Sequence, residues 1–215
     1  TGAKTDFWGY NDDASFRAEI TLPNQNFVKQ LNEPACLKIK IVDSHDQRFR
    51  RQVAAMIMRL ACLNGMISIA ENTSMAQKHT VNSTPEIMGA VASAWPTMLT
   101  KEAALMQYLK SVPVSDQQAI EFYTDALASR PTRTGAKINQ SRLNYIMTIH
   151  DAYQMGDNAY KVYNTLTHLS SHVEKQRENT CPITKKLRLE TEISNVIQSP
   201  AFQGLARISE FEMAA

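Results

Sequence analysis

The chain has 215 residues, of which 43% are hydrophobic and 20% charged, and its formal net charge is +2. This composition is ordinary for a soluble globular domain, and so small a net charge by itself points to no partner. No run approaches the roughly 20 apolar residues of a membrane span, and the sparse cysteines exclude a disulfide framework and predict a reduced, cytoplasmic protein: Cys36, Cys62 and Cys181.

The first third of the chain alternates between apolar and polar residues, as strands with one buried face do. In the segment from Phe16 to Leu22, apolar residues alternate with Arg17, Glu19 and Thr21. The segment from Cys36 to Val42 repeats the pattern, with lysines on its polar side. We therefore predict two half-buried strands here.

The next run, Val53 to Leu63, is apolar on every side, so its spacing fits a buried strand or a buried helix. Asn64-Gly65 follows it, and this dipeptide between apolar runs favours a two-residue hairpin turn. We predict paired strands over Gln52–Cys62 and Met66–Ala70, with a helix over the first run as the alternative.

From residue 83 onwards the apolar spacing becomes helical. Ser83-Thr84-Pro85-Glu86 is typical of a helix start, with a hydroxyl N-cap and a proline in the first turn. The segment from Ser129 to Gly135 is predicted to be a loop around Pro131. Helices are predicted over residues 84–94, 97–109, 115–127, 139–153, 158–173 and 184–197.

Strands followed by helices predict an α+β fold and disfavour alternating parallel βαβ units. We expect a small antiparallel sheet from the N-terminal third, packed by a C-terminal helical region. The chain is predicted to form a single domain over residues 1–215, mostly β from 16 to 82 and mostly α from 83 to 198. The termini, 1–14 and 199–215, are predicted to be peripheral.

Four short blocks of sequence carry a resemblance to a known family. They are Asp43-Ser44-His45-Asp46, Arg59-Leu60-Ala61-Cys62-Leu63-Asn64-Gly65, Lys78-His79-Thr80 and Tyr163-Asn164-Thr165-Leu166-Thr167-His168. Together they resemble the phage/plasmid-like protein family, in which an Asn-Ser-His-Asp-Gly-Ser stretch ends a strand. This chain departs from the pattern at Asp43, where Asn is usual, and at Gln47-Arg48, which replace Gly-Ser. The resemblance implies a phage or mobile-element origin, and hence a bacterial host cytoplasm, but no established activity.

The candidate catalytic residues are His45, Asp46 and His79. A His-Asp pair at a strand end, with a second His, could hold a metal ion or serve as acid and base in a hydrolase or nuclease. The alternative is that these side chains hydrogen-bond the turn. No Cys-rich or Glu-rich ligand set accompanies them, and the protein is expected not to be an enzyme.

A second histidine pair, His168 and His172, is spaced i, i+4 on a predicted helix and could share a metal ion. A zinc-protease helix would place Glu directly after the first His, whereas Leu169 stands there. The sequence also lacks a Gly-rich phosphate loop. We therefore predict no metal site and no cofactor.

Basic residues are concentrated in two windows without any acidic residue, 47–70 and 126–150. Such windows fit the phosphates of a nucleic acid, and the alternative is an ordinary solvated surface. The predicted nucleic-acid-binding residues are Arg48, Arg50, Arg51 and Arg59 in the first window, and Arg130, Arg133, Lys137 and Arg142 in the second.

The function expected is binding or annealing of single-stranded DNA in phage or mobile-element replication or recombination. The β-β-β-α order of residues 36–110 resembles the sheet-plus-helix core of single-strand annealing proteins, which implies a homo-oligomer, associated through the apolar hairpin. No membrane partner is expected. The alternatives are the metal-dependent hydrolase or nuclease, and a non-catalytic phage structural or host-takeover protein.

Overall fold

The computed structural model of the chain describes residues 4–10, 15–23, 35–45, 51–59, 65–66, 74–77, 100–133, 135–171 and 182–214. The chain divides into two compact units. The sheet unit contains Thr1–Ala104 and Glu174–Arg188, and the helical unit contains Leu105–Val173 and Leu189–Ala215. The predicted α+β class, with its sheet in the N-terminal part and helices in the C-terminal part, is confirmed.

The sheet unit is built on four long antiparallel strands that lie side by side in chain order, followed by two short strands that both pair with the fourth. The strands are β1 Lys4–Tyr10, β2 Ser15–Pro23, β3 Ala35–Ser44, β4 Arg51–Arg59, β5 Gly65–Met66 and β6 Ser74–Gln77.

Strands β2 and β3 form because their apolar residues meet in register. Ala18 lies opposite Ile41, and Ile20 lies opposite Ile39, so that one face of the pair is apolar. The same face continues into β4, where Val53 lies opposite Ile41 and is fully buried. Both predicted half-buried strands are confirmed, and the ambiguous run from Val53 begins as a strand.

The predicted Asn64-Gly65 turn is wrong in register. That turn would pair Leu63 with Met66, whereas the structure pairs Met66 with Ile57 and Gly65 with Met58. Gly65 is therefore part of a strand, and residues 60–64 connect β4 to it. The observed register places two apolar residues, Ile57 and Met66, opposite each other, which the turn signal alone did not require.

The polar residues of β2 are buried, although alternation predicted that they face solvent. Arg17 is 3% exposed and Glu19 is 4% exposed. Arg17 donates to the Glu19 carboxylate through Nε at 2.8 Å, and Lys38 Nζ on β3 donates to Glu19 Oε2 at 2.6 Å. Buried charges need such partners, since removing an ion from water costs several kcal/mol.

Seven helices follow in the described ranges, most of them where the spacing predicts them. They are α1 over 100–111, α2 Asp116–Tyr123, α3 Gln140–Ala152, α4 Ala159–Ser171, α5 Pro182–Ile197, α6 Pro200–Leu205 and α7 Ile208–Ala214. The helix predicted over 84–94 lies outside the described residues. None of the helices in the described ranges is both long and apolar enough to cross a membrane.

Side-chain caps explain where two of the helices begin. Ser115 caps α2 and forms a reciprocal capping box with Gln118, which satisfies backbone N–H groups at the helix start. Asn139 caps α3 by accepting from the backbone N–H of Arg142 at 3.1 Å. Helix α2 ends in a wider π-helical turn, Thr124–Ala128, which leads directly into the chain that carries the candidate site.

The core of the helical unit lies around α4, whose residues are buried on nearly every side. Tyr160 and Tyr163 are fully buried there. Phe202 of α6 packs against Tyr163 and against Phe122 of α2, at ring-centroid distances of 6.4 Å and 6.0 Å. The C-terminal segment therefore supplies core side chains and is not peripheral here.

Candidate nucleic-acid interface

Residues 129–138 of the second basic window form a two-stranded β-hairpin. Strand β7, Ser129–Thr132, pairs with β8, Gly135–Ile138, so the loop predicted from Ser129 to Gly135 is wrong. Pro131 is compatible with the hairpin because proline, which has no N–H, is accepted in edge strands. We call residues 129–138 the basic hairpin.

The ends of the basic hairpin are fixed by local hydrogen bonds. At the tip, the Thr132 hydroxyl donates to the Gly135 carbonyl at 2.7 Å. Gly135 has a φ of 130°, a value that residues with a side chain rarely adopt, so glycine is required by the backbone. At the base, the Asn139 N–H donates to the Ala128 carbonyl at 2.8 Å. The hairpin thus leaves the end of α2 and returns at the start of α3.

The basic hairpin places its cations close together and in solvent. Arg130 lies directly opposite Lys137, and Arg133 follows β7 at the tip. All three residues are exposed. Directly opposed residues have Cβ atoms about 4.5–5.5 Å apart, and like charges in that position repel each other. The described carboxylates form no ion pair with Arg130, Arg133 or Lys137. The three residues therefore form an exposed cluster of positive charge.

Arg142 behaves differently from the three hairpin cations. It lies in the first turn of α3, where its guanidinium pairs with Glu192 of α5. Its side chain is 31% exposed and that of Glu192 is 44% exposed. Arg142 is therefore near the base of the hairpin in sequence, yet its charge is already matched in the free protein.

Two exposed apolar side chains accompany the basic hairpin and were missed by the sequence reasoning. Ile138, the last residue of β8, is 48% exposed, and Tyr145 on α3 is 41% exposed. Tyr145 belongs to the same acid-free window, and its spacing from the buried residues Leu143 and Ile146 places it off the core face. That spacing was the signal that could have found it.

The first basic window is spread along the sheet. Arg51 and Arg59 are the first and last residues of β4. A strand rises about 3.3 Å per residue, so their backbones lie roughly 26 Å apart. Arg48 and Arg50 lie outside the described residues. The structure thus brings together the predicted cations of the second window and separates the two described cations of the first.

Of the three candidate catalytic residues, the structure describes only His45. His45 follows β3 as an exposed residue, and Asp46 and His79 lie outside the described residues. Ser44, which precedes His45, is fully buried, and its backbone N–H donates to Asp43 Oδ1 at 2.8 Å. Within the described ranges, no group of three or more His, Cys, Asp or Glu residues could hold a metal ion.

A polar network around His150 connects α2, α3 and α4, and the sequence reasoning missed it. The Tyr123 hydroxyl lies 3.0 Å from His150 Nδ1, and Asp116 Oδ1 lies 3.4 Å from His150 Nε2. Lys161 Nζ reaches both Asp116 and Asp157, at 3.4 Å and 3.5 Å. His150 follows Leu143 and Ile146 at helical spacing, so the core face of α3 predicted its burial.

The ionisation of this network is set by burial and by Lys161. Burial lowers the pKa of His150, and Lys161 lowers it further, so the imidazole is held neutral. Burial also raises the pKa of Tyr123 well above its ordinary value, while Lys161 lowers the pKa of Asp116. A neutral His150 accepts from the Tyr123 hydroxyl and donates to the Asp116 carboxylate. The network therefore acts as a structural connection among three helices.

His168 has a structural partner as well. Its Nδ1 lies 3.0 Å from the Tyr153 hydroxyl, and the two rings meet edge to face with centroids 6.0 Å apart. His172, the second member of the predicted pair, lies outside the described residues. The tyrosine contact accounts for His168 without a metal ion.

Comparison with known proteins identifies a family of unknown function. No curated protein and no solved structure matches the chain. The model of the family described as "Domain of unknown function (DUF932)" matches residues 11–193, which include the strands from β2 onwards, the basic hairpin and the His150 network. The chain belongs to the DUF932 family.

Proposed function

We propose that the protein binds single-stranded DNA through the basic hairpin. The observation that carries this proposal is the pair of opposed cations, Arg130 and Lys137, exposed on a hairpin without any carboxylate of its own. An unbound hairpin is destabilised by that pair, whereas phosphates bound between the two side chains would turn the repulsion into attraction. Arg133 extends the same positive surface to the tip.

The apolar neighbours favour a single strand over a duplex. Single-strand-binding surfaces combine cations that follow the backbone with aromatic or apolar faces on which bases stack. Tyr145 and Ile138 are exposed side chains of that kind, on α3 and β8, which are joined by Asn139. An unpaired base can reach such a face, whereas a base stacked in a duplex cannot.

The biological setting proposed is DNA replication or recombination in a phage or other mobile element, with strand annealing as the reaction promoted. Its support is the resemblance of the blocks at 43–46, 59–65, 78–80 and 163–168 to the phage/plasmid-like family. Annealing needs only binding that holds strands with their bases accessible, so no catalytic residue is required.

The proposal is tested by titrating a fluorescent single-stranded oligonucleotide at several salt concentrations. Each phosphate contact contributes about 0.7 to the slope of log affinity against log salt for single strands, so replacing Arg130, Arg133 and Lys137 together by Ala should reduce that slope by about 2. The matched control is Arg188→Ala, which removes an exposed cation of α5 and should leave the slope nearly unchanged.

A charge reversal separates folding from binding. Arg130→Glu places a carboxylate opposite Lys137, which should stabilise the hairpin by about 0.2–1 kcal/mol while weakening oligonucleotide binding. Absence of oligonucleotide binding at low salt, or a triple variant with the wild-type slope, would contradict the proposal. Equal affinity for single-stranded and duplex DNA would contradict the role given to Tyr145 and Ile138.

A further inference from the structure

Strand β1 forms a long open edge of the sheet. Its seven residues, Lys4–Tyr10, pair along their whole length with β2, and no other described strand pairs with β1. The N–H and C=O groups on the outer side of such a strand form a ready template for another strand. At the other end of the sheet the strands β5 and β6 are short, so β1 is the long edge among the described strands.

The edge also carries an exposed aromatic side chain. Phe7, at the centre of β1, is 65% exposed. On its inner side its ring stacks on Phe16 of β2, with centroids 5.4 Å apart and planes inclined by 20°. The outer side of the Phe7 ring is left to solvent, which is unfavourable for an apolar surface of this size.

We infer that a second copy of this chain binds along β1, with the two β1 strands antiparallel. The two-fold axis that relates them passes midway between the two Phe7 residues. An axis normal to the sheet keeps each face of one sheet continuous with the same face of the other. The two Phe7 residues then lie opposite each other on one face. An aromatic row runs from Phe16 through both Phe7 rings to the second Phe16.

The position of the axis follows from the sequence of β1. Centred on Phe7, the two strands overlap along all seven residues, with Lys4 opposite Tyr10 and Asp6 opposite Trp8. No like charges meet in this register. Moving the axis to Asp6 would place two carboxylates directly opposite each other, which is destabilising.

Other positions of the axis shorten the paired region. An axis at Trp8 pairs only residues 6–10, and an axis at Thr5 pairs only residues 4–6. Each shift leaves backbone groups of the edge without a partner strand. The Phe7-centred dimer is therefore the one that uses the whole edge.

The self-association inferred here is moderate in strength and separate from nucleic-acid binding. Pairing of one strand edge buries less than the about 1,600 Å² of a standard interface, so the dimer should dissociate on dilution through the micromolar range. The sequence predicted self-association through the apolar hairpin around Asn64-Gly65. The inferred dimer associates through β1 instead. It does not depend on the basic hairpin, so a failed oligonucleotide titration leaves it intact.

The oligomeric state provides the first test. We expect the wild-type chain to show a reversible monomer-to-dimer transition in a dilution series followed by light scattering or sedimentation. Phe7→Lys places two ammonium groups at the axis and should abolish the dimer. The matched control is Met213→Lys, which makes the same change at a side chain that is 81% exposed on α7, and it should dimerise as the wild type does.

Cross-linking provides a test that does not depend on the stability of the lysine variant. Phe7→Cys places two thiols on opposed residues, whose Cβ atoms are about 4.5–5.5 Å apart in an antiparallel pair, and a short bifunctional maleimide should join them. Met213→Cys and the wild type, with its three native cysteines, serve as controls. A wild-type mass of one chain at every concentration, a dimer that survives Phe7→Lys, or equal cross-linking of Phe7→Cys and Met213→Cys would each overturn the inference.

Discussion

The cations of the sheet and those of the basic hairpin differ in whether a carboxylate lies beside them. In the sheet, the buried Arg17 and the partly buried Lys38 share the carboxylate of Glu19. On the basic hairpin, Arg130 and Lys137 are exposed and meet only each other. Both pairs of cations stand on antiparallel strands. The difference shows that the presence of a nearby acid decides whether the cations of a strand are structural or available to a partner.

The largest effect is expected from breaking the buried ion pairs. Glu19→Gln keeps the shape of the side chain but removes the charge that Arg17 and Lys38 share. Because the buried Arg17 and the partly buried Lys38 then lose the charge of Glu19, the free energy of unfolding should fall by about 3–5 kcal/mol in urea titrations. Glu121→Gln, at an exposed carboxylate of α2, should change it by less than about 0.5 kcal/mol. Similar losses in both variants would show that the charges on the sheet are not structural.

A smaller, pH-dependent effect is expected from His150. Burial holds the pKa of the folded imidazole below its ordinary value of about 6.5, so below that pH the unfolded chain binds a proton that the folded chain resists. The free energy of unfolding should therefore decrease as the pH falls from about 6.5 towards the lowered pKa, and His150→Gln should reduce this decrease. Denaturant titrations between about pH 5 and 8 measure it, above the range where carboxylates titrate. An identical pH profile in the variant would refute the role of His150.

The smallest effect is expected at the exposed ion pair of Arg142 and Glu192. Glu192→Gln should change the free energy of unfolding by at most about 0.5 kcal/mol, since an exposed pair contributes little. The same change releases Arg142 and should raise oligonucleotide affinity by about twofold, which corresponds to roughly 0.5 kcal/mol. A decrease in affinity would show that Arg142 does not contribute to the proposed binding of the oligonucleotide.

Much of the fold could be predicted from local patterns. The alternation in β2 and β3 and the helical spacing of α2 to α5 are set by which residues are apolar, and the structure follows them. The hairpin at 129–138 was missed because its burial is uniformly low, so no apolar alternation marks it. Pro131 and Gly135, which signal a loop, are also compatible with an exposed hairpin.

The candidate site could be predicted only in part. Arg130, Arg133 and Lys137 were chosen because an acid-free window is visible in the sequence, and the register of the hairpin places Arg130 opposite Lys137. The pairing of Arg142 with Glu192 joins residues far apart in the chain and has no local signal. Buried Arg17 and Glu19 had the ordinary pattern of an exposed strand face, because burial depends on the rest of the fold.

Gly135 shows what the tip of the basic hairpin requires. A methyl group at this position would meet no atom within 4 Å, so there is room for a side chain, yet the φ of 130° disfavours any L-residue. The constraint is thus one of handedness and not of size. A D-alanine, whose preferred backbone angles are the mirror image of those of L-alanine, would adopt this φ without the strain that an L-residue meets. A semisynthetic chain carrying it would hold the tip more rigidly than glycine does, with every cation of the hairpin unchanged.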